Sequence, residues 1–478
     1  MTITRHFVDV SNPDGSRRRV HYRRAGAGPV VVLVHQSPRS SAEYAALMAD
    51  WAADFTCLAP DTPGFGESAP LPMPNPHVND YADAVLAFLD AMGLPQAGAY
   101  GTHSGAITLI TAAKRAAHRF TAIAANGYAV WTDAERADFG ANYTPAFVPL
   151  PYGEHLAWVW HRIREQSWFF PWYAADDAHR LPMAHDDAAT NHAMIMDILA
   201  AGSSYAQGYA AMLQAPRDLP APGAPTPPVY ISGRNGDPLQ SHIDRLGPLP
   251  PGWAAEKLVT EAQVEAASRT WLLRHPATAA PSAAPPADQG FVTVPGLGQL
   301  HWIGDSYAET LLLHAPGSAA EMVARPGALA IDLPGHGLSV GGAAPPTPDA
   351  IAAALATAIK PLAPKLRRVE GQGASAAIAA LLAARCHLEA PEATPSVAAG
   401  WPDLTPDRFG SHLMRAWGMA RAEVAFTPWD APCAANARAF DPAELGAHRL
   451  HRRALAALRA QHVPELLAAL QDCGMTVL

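Results

Sequence analysis

Tyr100-Gly101-Thr102-His103-Ser104-Gly105-Ala106 compresses the end of a strand, a tight turn and the start of a helix into seven residues. The apolar run Ala97-Gly98-Ala99-Tyr100 leads in, and Ile107-Thr108-Leu109-Ile110-Thr111-Ala112-Ala113-Lys114 leaves as a helix. Strand, Gly-x-X-x-Gly, helix predicts a sharp turn in which the glycines permit close packing. The middle side chain then stands at the tip on a strained backbone. That residue is His103.

Outward from this turn the pattern continues. Residues 7–22 alternate around Asn12-Pro13-Asp14-Gly15, which predicts an opening hairpin. Residues 29–34 are continuously apolar and β-branched, as in a strand buried on both faces, and end in His35-Gln36-Ser37-Pro38. A helix (41–51), a strand (55–59), the loop Pro60-Asp61-Thr62-Pro63-Gly64-Phe65-Gly66-Glu67-Ser68 and a helix (81–92) lead into the turn. Downstream, residues 120–125 form a strand ending in Asn126-Gly127-Tyr128. Residues 229–233 form another, running into Arg234-Asn235-Gly236-Asp237-Pro238, and residues 252–260 the last, before a helix from Glu261. Alternation of this kind predicts an α/β fold, a parallel sheet with right-handed crossovers.

His35-Gln36-Ser37-Pro38, the Asp61–Ser68 loop and the turn at His103, in this order and spacing, resemble the α/β-hydrolase superfamily. The similarity is to the branch with epoxide hydrolases, haloalkane dehalogenases and C–C bond hydrolases, and it spans residues 1–275. It implies a doubly wound sheet with a helical cap over the site at residues 131–215. It implies an oxyanion hole from the backbone N–H groups of Ser37 and Ser104, and Asp237 at the position of the triad acid. The turn becomes a nucleophile elbow, whose tip in most members is Ser, sometimes Cys or Asp; here it is His103. The family's Gly-His after the last strand is missing, and His242 and His275 lie in the wrong places.

In the cap, His155, Trp160 and Arg164 fall at about helical period and could share one face, while Arg162 is one residue out of that register. A cation facing a pocket would suit a carboxylate substrate. The alternative is that Trp and His pack the cap and Arg164 pairs with an acidic neighbour such as Asp176. Gln36 and Tyr128 are candidate pocket walls. Asp61 is expected to fix its own loop.

Past a Pro/Ala-rich linker (276–290) the pattern returns in residues 291–478. His35 and His314 are 279 residues apart, Asp61 and Asp332 271, Gly101 and Gly371 270. Gly153, His155, Leu156, Trp160, Arg164, Phe169, Pro171 and Trp172 recur exactly 257 residues later, from Gly410 to Trp429. The expectation is a tandem duplication: two α/β-hydrolase-like doubly wound sheets, each with a cap, the second cap at residues 401–460. The second copy is incomplete. Its elbow carries Gly373, and residues 463–478 leave room for one helix and a short strand. It reads as a scaffold, or as a cap lending His412 or Arg421 to the first site.

Composition narrows the function. The 478 residues carry a net charge of −9, so no basic face invites nucleic acid or an anionic membrane. There is no apolar stretch long enough to span a bilayer, and residues 1–26 lack the apolar core of a signal peptide. Cys57, Cys386, Cys433 and Cys473 are scattered, which fits a reduced, cytoplasmic protein. No HExxH or clustered ligand spacing predicts a metal, and no cofactor is expected. The expected partner is a small-molecule substrate, and a homo-oligomer is left open. Three roles for His103 stand: general acid or base beside the oxyanion hole, direct nucleophile, or residue of a dead site that binds a ligand or partner.

Overall fold

The computed structural model describes residues 2–12, 14–391 and 400–472. Pro13 of the hairpin turn, Cys473 and the short terminal strand expected before residue 478 lie outside them. The chain forms two compact units, Met1–Val148 with Val159–Pro285, and Pro149–Trp158 with Pro286–Leu478.

In the first unit the predicted elements appear in order. They are β1 (Thr4–Ser11), β2 (Arg17–Ala25), β3 (Val30–Val34), α1 (Ala45–Trp51), β4 (Thr56–Pro60), α2 (Val78–Ala91), β5 (Ala97–Thr102), α3 (Ser104–Arg115) and β6 (Phe120–Asn126). The cap interval holds α4 (Asp133–Asn142), α5 (Glu154–Gln166), α6 (Ala188–Ala201) and α7 (Ser204–Leu213). The sheet resumes with β7 (Val229–Arg234) and β8 (Trp253–Leu258), and α8 (Glu261–Leu273) closes the unit. The strand order is β1-β2-β4-β3-β5-β6-β7-β8. Strands β4 to β8 run parallel, but β2 pairs antiparallel with both β1 and β4, so the sheet is mixed where a parallel one was expected. The short hairpin turn dictates the antiparallel β1–β2 pair, because only a long crossover can return a strand in the same direction.

Alternation along the buried strands splits the apolar material between two faces. Val30, Val32, Val34, Ala97 and Ala99 pack with α2 and α3. Val31, Leu33, Tyr100 and Ala124 pack with α1 and the end of α8. The unit is therefore doubly wound.

The second unit contains β9 (Gln289–Val294), β10 (Gly298–Gly304), β11 (Thr310–Leu313), β12 (Leu329–Ile331), α9 (Pro348–Leu362), β13 (Arg368–Gly371) and α10 (Ser375–Cys386). Then come α11 (Ser411–Ala425), α12 (Ala447–Arg459) and α13 (Val463–Asp472). Gln289 already opens β9, so the linker predicted over 276–290 stops at residue 288. Its five strands run β13-β11-β12-β10-β9 and are also mixed. Among the described residues this sheet is wound on one face only: residues of α9, α10 and α13 cover it, and the small cluster on the other face, around Leu312, Ala320, Ala328 and Ala330, includes no α-helical residue. The repeat offset falls from 279 to 271 between His314 and Asp332, so eight residues are lost where α1 stands in the first unit.

Each unit is tied by a buried carboxylate. Asp61 accepts from His21 Nδ1 (2.8 Å), Ser41 N–H (2.8 Å) and Glu67 N–H (2.9 Å). Asp332 accepts from His301 Nδ1 (2.8 Å), Ala320 N–H (2.5 Å) and Leu338 N–H (2.8 Å). Burial alone would raise the pKa of Asp61, but His21, His35 and these bonds outweigh it and hold the carboxyl well below its usual range. A depressed folded pKa contributes stability above the unfolded value, and that stability is lost as pH falls through the folded one. Asp61→Ala is expected to destabilise the first unit by about 3–5 kcal/mol, since it leaves a buried partner uncompensated. Urea unfolding followed by fluorescence checks this, and a variant as stable as wild type would remove the role.

Candidate active site

His103 lies between β5 and α3 with φ 49° and ψ −110°, a left-handed backbone for a residue with a Cβ. Such conformations cost on the order of 1–3 kcal/mol and persist only where the surroundings impose them. The imposition is visible at Gly105, where a Cβ would lie 1.9 Å from the Val34 carbonyl oxygen. The first turn of α3 is pressed against the end of β3, and the chain must reverse within one residue. His103 N–H donates to Asn126 O (2.8 Å), and His103 O accepts from Ile107 N–H (3.0 Å).

The imidazole meets Asp237, with Nε2 2.7 Å from Oδ2. The His103 side chain is 29% exposed and that of Asp237 5%. Asp237 has two partners. Oδ1 accepts from Leu239 N–H (2.8 Å) to close the turn, while Oδ2 receives the imidazole. Gly127 makes room for the pair: a Cβ there would lie 2.3 Å from His103 Cδ2 and 3.3 Å from Asp237 Oδ2. Burial opposes protonation of His103, but the charge of Asp237, with Glu43 and Glu261 beyond it, prevails and raises its pKa. Burial likewise opposes ionisation of Asp237, and His103 reverses the effect and lowers its pKa. In the neutral ring Nε2 carries the proton toward Asp237 and Nδ1 keeps its lone pair. Among the described residues Nδ1 has no hydrogen-bond partner.

A cavity of about 190 Å³ adjoins this ring. Gln36, Ser37, His103, Ser104, Pro238 and Leu239 line it at the sheet end. Trp131, Tyr143, Gln166, Phe170, Tyr209 and Met212 are among those that line it at the cap end. Several expected site residues are thus brought together, with changes of role. Ser37 N–H, expected to be free for an oxyanion, donates to Ser104 Oγ at 2.5 Å. The hydroxyl occupies that amide and keeps its own proton to offer. Gln36 lines the cavity, but its backbone N–H (2.8 Å) and Nε2 (3.0 Å) both donate to Glu43, leaving Oε1 for a ligand.

Four expected site residues do not reach the cavity. Tyr128 is 2% exposed, and its hydroxyl accepts from Asp218 N–H (3.2 Å). His155 packs in the second unit, where Nδ1 accepts from Leu150 N–H (3.1 Å) and Nε2 lies 3.1 Å from His451 Nδ1. Trp160 is buried in the core. Arg164 pairs with Asp186 (3.2 Å) rather than Asp176 and stacks on Trp168. The second-copy candidates have partners within their own unit: His412 is buried with Nδ1 accepting from Asp407 N–H (3.3 Å), and Arg421 donates to Pro151 O (3.2 Å). Arg162, dismissed as out of register, is instead 1% exposed and backs the cavity wall. Helical periodicity fails here because α5 is buried around most of its girth, with only Glu154, Ala157 and His161 fully on the surface. At the base position, Thr260 caps α8 and Glu261 pairs with Arg234 (2.5 Å). His242 serves the core, where Nδ1 accepts from Val130 N–H (3.0 Å).

Residues 29–148 match the family model of the alpha/beta hydrolase fold, and the first unit has that fold. Haloalkane dehalogenase 2 of Mycobacterium tuberculosis and that of Mycobacterium bovis are each 33% identical over 104 residues, 22% of this chain and 36% of theirs. The chain thus spans about a third of the length of these relatives. Among solved structures, Epoxide Hydrolase A from Mycobacterium thermoresistibile is 16% identical with a TM-score of 0.43, over 58% of this chain and 100% of that one. A thermophilic esterase from Thermogutta terrifontis is 17% identical with a TM-score of 0.41, over 57% and 99%.

The geometry makes a direct claim on the imidazole. Asp237→Asn removes the charge that raises its pKa, and Gly127→Ala forces ring and carboxylate apart. Both variants are expected to lower the His103 pKa, read from its imidazole resonances in an NMR titration. An unmoved midpoint in both would dissolve the pair.

Proposed function

We propose that this chain is a hydrolase in which the His103–Asp237 pair acts as general base on water attacking a small carbonyl-bearing substrate. One observation carries the reading: a strained imidazole that is bound through Nε2 to a buried carboxylate and lines a cavity. Neutral Nδ1 accepts a proton from water as the water adds to the carbonyl. Asp237 stabilises the imidazolium that forms. Ser104 Oγ, polarised by the Ser37 amide, and the Ser104 N–H at the start of α3 receive the developing oxyanion. The proton then returns from His103 to the leaving group. Directed at a carbon acid, the same pair would give a lyase or isomerase, and exchange of substrate hydrogen with deuterated solvent separates the two.

The reading includes a tandem duplication with a non-catalytic second copy. The β9–β13 order repeats that of β1–β5, with antiparallel and parallel pairs in the same places. The bridge Phe169–Arg180 recurs as Phe426–Ala437, and the bond from Trp172 Nε1 to Tyr143 O as Trp429 Nε1 to Gly400 O. Each partner is displaced by 257 residues. Gly373 takes φ 56° at the second tip, where no side chain can act.

In a screen of small esters, lactones and diketones, His103→Ala is expected to lose about 10²–10⁴-fold in kcat/KM while its thermal midpoint stays close to wild type. The active base is the neutral ring, so kcat/KM should rise with pH through a pKa above the ordinary imidazole value of about 6.5. That limb should move to lower pH in Asp237→Asn. Full turnover in His103→Ala would end the reading.

A further inference from the structure

We propose that the cavity selects a substrate with a carboxylate at the end remote from His103, and that Arg162 is the positioning residue that selects it. This rests on the cavity being the site described above. Arg162 stands behind the cap-end wall. Its Nη1 donates to Gln166 Oε1 and its Nε to the Tyr205 hydroxyl at 2.9 Å. The guanidinium faces the rings of Trp172, Tyr143 and Tyr205 at 5.1, 5.4 and 5.8 Å from their centroids. Nη2 is buried without a hydrogen-bond partner, and no carboxylate pairs with Arg162 among the described residues. An arginine stays charged at any working pH, so this is a buried, uncompensated cation.

Gln166, Tyr143 and Tyr209 separate it from the cavity and line the cavity themselves. Gln166 turns its oxygen to Arg162 and donates from Nε2 to Met194 Sδ (3.8 Å), so its second amide N–H is left for a ligand. The two hydroxyls, of Tyr209 and Tyr143, lie 3.4 Å apart in the same wall. A carboxylate seated there accepts from neutral donors polarised by the cation behind them, in a region of low dielectric. The rest of the wall, with Trp131, Phe170, Ile107 and Met212, fits an aryl or alkyl body.

The 257-residue repeat argues against a merely structural cation. The second cap forms α11 with Met419 at the position of Arg162 and Glu423 at that of Gln166. It keeps the framework pairs Trp160/Trp417 and Trp172/Trp429. A cap of this kind therefore folds without the cation.

The test is calorimetric binding of phenylacetate and its neutral isostere phenylacetamide to the full chain at millimolar concentration. Wild type is expected to prefer the acid by about tenfold or more, as a charge-assisted site does. Arg162→Met should bring the ratio to about one with amide affinity kept, and Arg162→Lys should restore part of it. Gln166→Leu, which keeps the cation, should lower the ratio too and covers the case of an Arg162→Met chain that fails to fold. A wild-type ratio near one, binding of neither probe, or an unchanged ratio in Arg162→Met overturns the proposal. Acid preference in His103→Ala without wild-type turnover of any substrate would sink the hydrolase and leave this selectivity standing. Turnover with no acid preference would do the reverse.

Discussion

The contact between Gly105 and the Val34 carbonyl sets the geometry of everything that acts. It leaves no room for a side chain on the inner turn of α3, so β5 must turn into the helix abruptly. The residue at the turn takes a positive φ, and its side chain is thrust away from the sheet. Whatever stands at position 103 is therefore presented to the cavity by packing rather than by its own preference. Imidazole in that place finds a carboxylate on the loop after β7, at the carboxyl ends of the parallel strands, where open α/β sheets place their ligands.

Charge is then laid out along the cavity. At the sheet end the His103–Asp237 pair is coupled tightly enough that each holds the other's ionised form against burial. Glu43 is half-buried beside it, with a pKa raised by desolvation, and it ties down both nitrogens of Gln36. At the cap end the partners of Arg162 among the described residues are aromatic rings and neutral oxygens. On the proposed reading the sheet end supplies proton transfer, and the cap end an electrostatic preference with no proton to give. A bound molecule spanning both would be oriented by its charge before it is attacked.

The fold was legible because its signals are local. Turn glycines, a β-branched run and period-two alternation identify β3, β5 and the elbow without tertiary information, and the family resemblance points to Asp237 by its place after β7. The site was legible only where backbone geometry fixes it. His103 sits on a turn whose direction the glycines dictate. Arg162 and Arg164 sit on a helix whose direction depends on what packs around it, and α5 has neighbours on most sides, so a one-faced helix was the wrong picture. The Ser104 hydroxyl on the Ser37 amide is a rotamer choice between segments 67 residues apart, which no spacing encodes. The single winding of the second sheet was present in the sequence, as the eight residues lost between His314 and Asp332, but its structural meaning needed α1 for comparison.

The repeated carboxylate knots separate what holds this architecture from what could act in it. Asp61 and Asp332 each accept a histidine and backbone amides from the same two loops, with bonds of similar length. Yet one unit has imidazole at the tip and the other Gly373. A knot of this type pins the loop after the second parallel strand to the antiparallel hairpin, and its histidine and amides come from residues other than the tip. The tip can therefore change, or lose its side chain altogether, without loosening the sheet. In the first unit the tip carries a strained histidine with a dedicated carboxylate and a glycine cleared for both. These are features the second unit shows its fold does not require, and that is the reason to assign them to chemistry rather than to stability.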